Sequence, residues 1–325
     1  MISFIRRLRS ELWISVNINN IVTSYKFKEL LSFNLGLSDN YWCKTRNNNY
    51  LLNLDDILLE QKVQNFLDYI NGFIWLNLNN HIKNYFDNNV LDYCVARDLN
   101  FLIDCNIDVL IEQYQSFFIY NKKTLVDNVD YLKKIKDLSN EELIKYNYKG
   151  KNNLLRTLLG YTEFMLKYRR CDINNIDSFY DVLLNGLIDC LEILPLDTKN
   201  IYFTTIPINK NENENDKLSY NLVKKISYMF YNNNIFILKC YKPSFKYKDL
   251  DEKNYIWNEI YSDVHKLDFV GKFDIMNKDV IIIDDLYQSG VSMWSYAKFL
   301  KSLGAKRVMG ISAVKSLRDS DNINV

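Results

Sequence analysis

The stretch Val280-Ile281-Ile282-Ile283-Asp284-Asp285-Leu286-Tyr287-Gln288-Ser289-Gly290-Val291-Ser292 reads as a buried strand ending in two adjacent acids, then a Ser-Gly turn into a helix. Its apolar run is continuous, without the alternation of a half-exposed strand, which predicts a sheet covered on both faces. Open α/β sheets bind ligands beyond the carboxyl ends of their strands, where this turn falls. The helix start would offer unpaired N–H groups and a positive dipole end, both suited to a phosphate. Gly290 permits close approach of the backbone to an anion, and the hydroxyls of Ser289 and Ser292 add donors; either serine could instead serve only as the N-cap. Neighbouring carboxylates that splay at a strand end can accept hydrogen bonds from a vicinal diol. A diol grip beside a phosphate cradle describes a sugar phosphate, and the Lys-Ser/Thr pair of a Walker loop is missing.

Working outward, Ile201-Tyr202-Phe203-Thr204-Thr205-Ile206 predicts a strand, Leu218–Tyr231 a helix and Ile235-Phe236-Ile237-Leu238 a second strand. Val280–Ile283 is the third strand, Ser292–Leu303 a helix closed by Gly304, and Arg307–Val314 a fourth strand. Strands alternating with helices imply right-handed crossovers and a parallel sheet. Tyr241 to Asp279 is too long for a simple connection and is expected to be a lid or a small inserted hairpin.

All three prolines, Pro195, Pro207 and Pro243, lie late in the chain. The part before them reads as helical. Apolar residues recur at Leu59, Val63, Phe66, Leu67, Ile70, Phe73 and Ile74 after Asp55-Asp56, and helices are also expected over Leu99–Phe118, after Ser139-Asn140-Glu141-Glu142, over Leu154–Tyr168 and over Ser178–Ile193. The fold expectation is therefore α/β, with a mainly α-helical region at 1–194 and an α/β domain with a parallel sheet at 195–325.

The 325 residues carry 41 Lys+Arg against 40 Asp+Glu, a net charge of +1 that gives no global attraction to nucleic acid or an anionic membrane. No apolar run approaches the ~20 residues of a membrane span, and Arg6, Arg7 and Arg9 are not followed by the apolar stretch of a secretory signal. Six cysteines (Cys43, Cys94, Cys105, Cys171, Cys190, Cys240) lack CxxC spacing and suit reduced thiols in a cytoplasmic protein. With only His81 and His265, neither a histidine metal site nor a Ser-His-Asp triad is supported. The abundant Asn, Lys, Ile and Tyr are residues of AT-rich codons and report the genome before the function.

The 13-residue stretch resembles the PRPP-binding motif of the type I phosphoribosyltransferases: four apolar residues, two acids, then a hydroxyl-rich turn around a glycine. The wording Asp-Asp-Leu-Tyr-Gln-Ser-Gly, with Ala313-Val314-Lys315-Ser316 near the end, is most similar to the ComF-like branch and to domains fused to RecQ-type helicases. The resemblance covers about Asp197 to Asn322. It implies that Asp284 and Asp285 are the catalytic acids on the ribose hydroxyls, and that Gln288, Ser289, Gly290, Val291 and Ser292 surround the 5′-phosphate. Gln288 stands where the family usually has Thr or Ser. Lys210, in the Pro207-containing loop, becomes the pyrophosphate contact, with Lys217 second to it. Lys246, Lys248 or Lys253 would stand in for an arginine usual in the hood. The implied chemistry is that of a glycosyltransferase in nucleotide metabolism: Mg²⁺-dependent transfer of ribose 5-phosphate from PRPP to a nitrogen acceptor with release of pyrophosphate. The alternative is a non-catalytic PRPP- or nucleotide-binding regulator associated with DNA uptake, repair or a helicase. Nucleic acid stays open as a partner without support from charge, a homodimer is a family tendency, and no membrane is implied. The aromatics Tyr241, Phe245, Tyr247, Tyr255, Trp257 and Tyr261 are expected to pack the hood, with stacking on a base as the alternative.

Overall fold

The strand expected at Val280 runs longer than its apolar residues and carries both acids within it. In a computed structural model, which describes all residues except 1–3, 8–12, 18–19, 24, 48, 54–56, 77–85, 87–89, 103–105, 172, 197–200, 231–233, 242–249, 272 and 318–325, the chain is mixed α/β. It begins with β1 (Phe4–Arg7), β2 (Trp13–Asn17), β3 (Asn20–Thr23), α1 (Tyr25–Leu35), β4 (Trp42–Lys44), β5 (Tyr50–Asn53), α2 (Ile57–Ile70), β6 (Ile74–Trp75) and β7 (Tyr93–Leu99). Then come α3 (Ile107–Ser116), α4 (Lys123–Lys136), α5 (Asn140–Lys145), α6 (Leu158–Lys167) and α7 (Ile176–Ile193). The last part holds β8 (Ile201–Thr205), β9 (Ile208–Asn209), α8 (Leu218–Met229), β10 (Phe236–Cys240), α9 (Leu250–Ser262), β11 (Asp268–Gly271), β12 (Asp279–Tyr287), α10 (Val291–Ser302) and β13 (Arg307–Lys315).

The central sheet has the order β6-β7-β13-β12-β8, parallel except for the edge strand β6. Its composition corrects two expectations. The mainly helical region 1–194 also supplies a strand to this sheet: β7 lies beside β13, with Ile311 opposite Val95 and Ser312 opposite Ala96. Residues 195–325 therefore do not complete this sheet alone. Tyr93-Cys94-Val95-Ala96 is a short apolar run whose state periodicity cannot decide, and partnership with β13 makes it a strand. An antiparallel sheet, β1-β2-β3-β5-β4, also precedes the helices. The second difference concerns β10, which joins β9 and β11 in a small separate sheet and touches the central one through the Phe203–Ile235 bridge. The segment expected as a lid or a small inserted hairpin supplies α9 and β11, and β11 pairs antiparallel with β10.

Alternate residues of β12 enter different cores, as a period of two requires. Ile281 and Ile283 belong to the core that also holds residues of α1, α2, α7 and α8, while Val280 and Ile282 belong to the one that holds residues of α9 and α10. All four are fully buried, and each such side chain contributes about 1.5–3 kcal/mol. A third core joins α3, α4 and α5 through Ile111, Leu132, Ile135 and Leu143. The expected Ser139 start is a capping box, with Ser139 and Glu142 satisfying each other's backbone donors.

A buried ion pair anchors β7. Arg97 Nε lies 3.0 Å from Asp189 Oδ2 of α7, the guanidinium lies 4.6 Å from the centre of the Phe73 ring, and Thr124 Oγ1 of α4 donates to the same carboxylate oxygen. This arrangement fixes the helices of the first part against the sheet.

Candidate functional site

At the carboxyl end of β12, Asp284, Leu286 and Tyr287 lead into Gln288, Ser289 and Gly290, and these line one wall of a cavity of about 280 Å³ together with Ser292 and Met293 of α10. The cavity is also lined by Ile206, Pro207 and Ile208 after β8, Glu212 of the following loop, Lys217 and Ser219 at the start of α8, and Lys253 from α9. The predicted turn and one predicted acid are thus brought together at the expected strand end.

The two acids diverge. Asp284 is half-buried and faces the cavity, whereas Asp285 is buried on the other side of the strand and does not line it. Asp285 Oδ2 accepts from Lys167 Nζ at the end of α6 at 2.7 Å. The same ammonium lies 3.1 Å from Glu163 Oε1, one turn earlier on α6. Burial would raise the Asp285 carboxyl, but the Lys167 charge and the hydrogen bonds from Lys167 and Asp284 outweigh it and hold it below the ordinary range. Asp284 moves the opposite way: burial and then the neighbouring Asp285 charge push it well above the usual value. Glu163 is raised as well, by burial first, with the lysine opposing. Two adjacent carboxyls are thereby split into an ionised, internally paired one and a cavity-facing one that retains its proton more readily. A diol-gripping pair of equivalent acids is not the arrangement seen.

The turn is built around Gly290 at φ +88°, the N-cap of α10, with no side-chain cap. The first backbone bond of the helix runs from Trp294 N to Gly290 O, so the N–H groups of Val291, Ser292 and Met293 precede the ladder. The missing Cβ of Gly290 has a different role from the one expected. A Cβ there would lie 1.9 Å from Tyr287 Oη, so the space above the glycine is filled by the protein's own tyrosine. That hydroxyl accepts from Trp294 Nε1 at 3.1 Å. Ser292 Oγ accepts from Trp257 Nε1 at 3.1 Å and is partly committed to holding α9. Ser289 is buried, lines the cavity and finds no side-chain partner among the described residues. Gln288 is exposed at the rim, and Val291 is buried in the core of α10.

Lys210 does not reach the cavity. Its Nζ lies 2.9 Å from Asp268 Oδ2 on β11 and 5.0 Å from the Tyr241 ring centre, so β9 and β11 hold it in the small sheet. Lys217, the second choice, is the cation of that loop that lines the cavity, paired with Glu212 at 2.8 Å. Lys253 lines it too, while Lys246, Lys248, Phe245, Tyr247, His81 and Cys105 lie outside the described residues. His265 sits in an exposed turn capped by Asp263, away from the cavity. Trp257 and Tyr261 stack on each other, and Tyr261 on Phe299, which makes them hood packing; Tyr241 and Tyr255 are exposed.

Sequence reasoning missed Lys167, Glu163 and Ser219. Lys167 meets Asp285 across 118 positions of chain, Glu163 joins them only as the neighbour of Lys167 one turn earlier, and Ser219 is a serine at a helix start with no local signal. For Mg²⁺, the described residues hold no group of three or more acidic, histidine or cysteine ligands. That donor set fits an ion which keeps its waters and is bound mainly by phosphate oxygens, with Asp284 and Glu212 the acids that line the cavity. Comparison with protein-family models finds no matching family, and comparison with curated proteins finds no matching relative. No helix among the described residues is long and apolar enough to cross a membrane.

Proposed function

We propose that the chain binds PRPP or a related ribose 5-phosphate ligand in this cavity and, with Mg²⁺, transfers the phosphoribosyl group to a nitrogen acceptor with release of pyrophosphate. The observation that carries the reading is that one acid of the motif and the Ser289–Gly290 turn line a single cavity against an uncapped helix N-terminus. In this reading the N–H groups of Val291, Ser292 and Met293, with the Ser289 hydroxyl, receive the 5′-phosphate. Asp284 accepts from or donates to a ribose hydroxyl, and Lys217 and Lys253 face the leaving pyrophosphate. Asp285 acts indirectly: burial raises Asp284 first, and the neighbouring Asp285 charge adds to it. Bound Mg²⁺ would neutralise pyrophosphate charge, and the protein's part is to orient the sugar and keep water out.

Non-catalytic binding is the second reading. It is favoured by Asp285 being tied to Lys167 and Lys210 to Asp268, which withdraws two expected contacts from the cavity. Calorimetric titration with PRPP and Mg²⁺ tests both, since each requires binding. A screen of nucleobases for pyrophosphate release then separates them: release supports transfer, and saturable binding without release with every base supports the regulator. Absence of binding overturns both.

A further inference from the structure

The cavity is bordered by a second helix start. Lys217 is the N-cap of α8, again without a side-chain cap, and the first backbone bond there is Asn221 N to Lys217 O. Lys217 and Ser219 of this end line the same space as Ser289 and Gly290 of the other. Opposite Lys217 sits an anion supplied by the chain itself: Glu212 Oε1, 2.8 Å from the ammonium, with both side chains partly exposed. In the same cavity, Ser289 is more than nine-tenths buried and makes no side-chain hydrogen bond among the described residues, so the α10 side offers a donor for a ligand.

We infer that Glu212 determines specificity at this site: its carboxylate stands where the second anionic group of a bis-anionic sugar phosphate would bind, and that group must displace it from Lys217. The inference rests on the proposed phosphoribosyl reading. A half-exposed ion pair is weak, so a pyrophosphate of higher charge can replace it. Glu212 nonetheless repels the newcomer across a few ångströms, whereas a ligand with only a 5′-phosphate, held at α10, leaves the pair intact. Wild-type protein should therefore discriminate less between PRPP and ribose 5-phosphate than the two-cation wall of Lys217 and Lys253 suggests.

The test is calorimetry of wild type, Glu212→Gln and Glu212→Gln/Lys217→Met with ribose 5-phosphate, inorganic pyrophosphate and PRPP, each with Mg²⁺. Glu212→Gln should tighten pyrophosphate and PRPP about tenfold and leave ribose 5-phosphate within about twofold. The double variant should lose that gain. Glu212 is exposed, so the substitution is not expected to alter the melting temperature. If ribose 5-phosphate binds but pyrophosphate and PRPP are unchanged in Glu212→Gln, or all three ligands tighten alike, the role of Glu212 is overturned while the phosphoribosyl reading stands. If no protein binds any of the three, both are overturned.

Discussion

Replacing Lys167 by methionine is the perturbation whose consequences the structure specifies most fully. The substitution keeps most of the aliphatic stem but removes the ammonium that pairs with Asp285, leaving a buried carboxylate beside Asp284 and Glu163. Breaking a buried pair from one side costs about 3–5 kcal/mol, and the 37% exposure of the Lys167 side chain reduces that to about 2–3 kcal/mol. The loss should depend on pH with a definite sign. In the wild type Asp285 is depressed, so it contributes stability above its unfolded value of about 3.9 and loses it as pH falls through the folded value. Without Lys167, burial and the Asp284 neighbour push Asp285 above about 3.9. Its contribution then reverses, and stability falls as pH rises through the raised value. The gap in urea unfolding should thus widen with pH, from part of that loss near pH 4.5, where the wild-type pair still contributes, to the full about 2–3 kcal/mol at pH 7.5, a midpoint shift of about 1 M. Adding Asp285→Asn to Lys167→Met should recover most of the loss at pH 7.5, because no uncompensated charge remains. Equal stability of Lys167→Met and wild type at pH 7.5, or a loss independent of pH, would refute the charge argument.

Asp284→Asn should weaken PRPP with Mg²⁺ by tenfold or more, about 1.4 kcal/mol, with an unchanged melting temperature; calorimetry with a thermal melt checks both. Gly290→Ala should destabilise by about 2–4 kcal/mol from positive φ plus the Tyr287 clash, whereas Gly36→Ala, at φ +66° with open space around it, should cost only about 1 kcal/mol. Chemical denaturation of both variants isolates the steric part. Asp189→Asn should cost about 3–5 kcal/mol by leaving the Arg97 guanidinium buried without its charge partner, which urea unfolding reads directly.

What the sequence disclosed follows from how far each cause acts along the chain. The β12–turn–α10 unit was legible because each part is signalled within a few residues: an apolar run, paired acids, Ser-Gly, then helical spacing. Helix α7 and the α5 capping box were legible for the same reason. β7 was not, since Tyr93–Leu99 becomes a strand only by lying beside β13, more than two hundred residues later. The split of the two acids was equally hidden. Asp284 and Asp285 look alike in sequence, and their difference is created by Lys167, 118 residues before Asp285. Gly290 was placed correctly but explained differently: its freedom accommodates Tyr287, a contact that local pattern does not announce. Lys210 and Lys217 differ by seven positions in one loop, and only the pairing of Lys210 with Asp268 on β11 removes the first from the cavity.

The most direct measurement is a crystal structure of the protein grown with PRPP and Mg²⁺. The account predicts a 5′-phosphate on the N–H groups of Val291, Ser292 and Met293, with a ribose hydroxyl on Asp284 and Asp285 still bound to Lys167. Ligand density elsewhere on the surface, or a ribose turned away from Asp284, would contradict it.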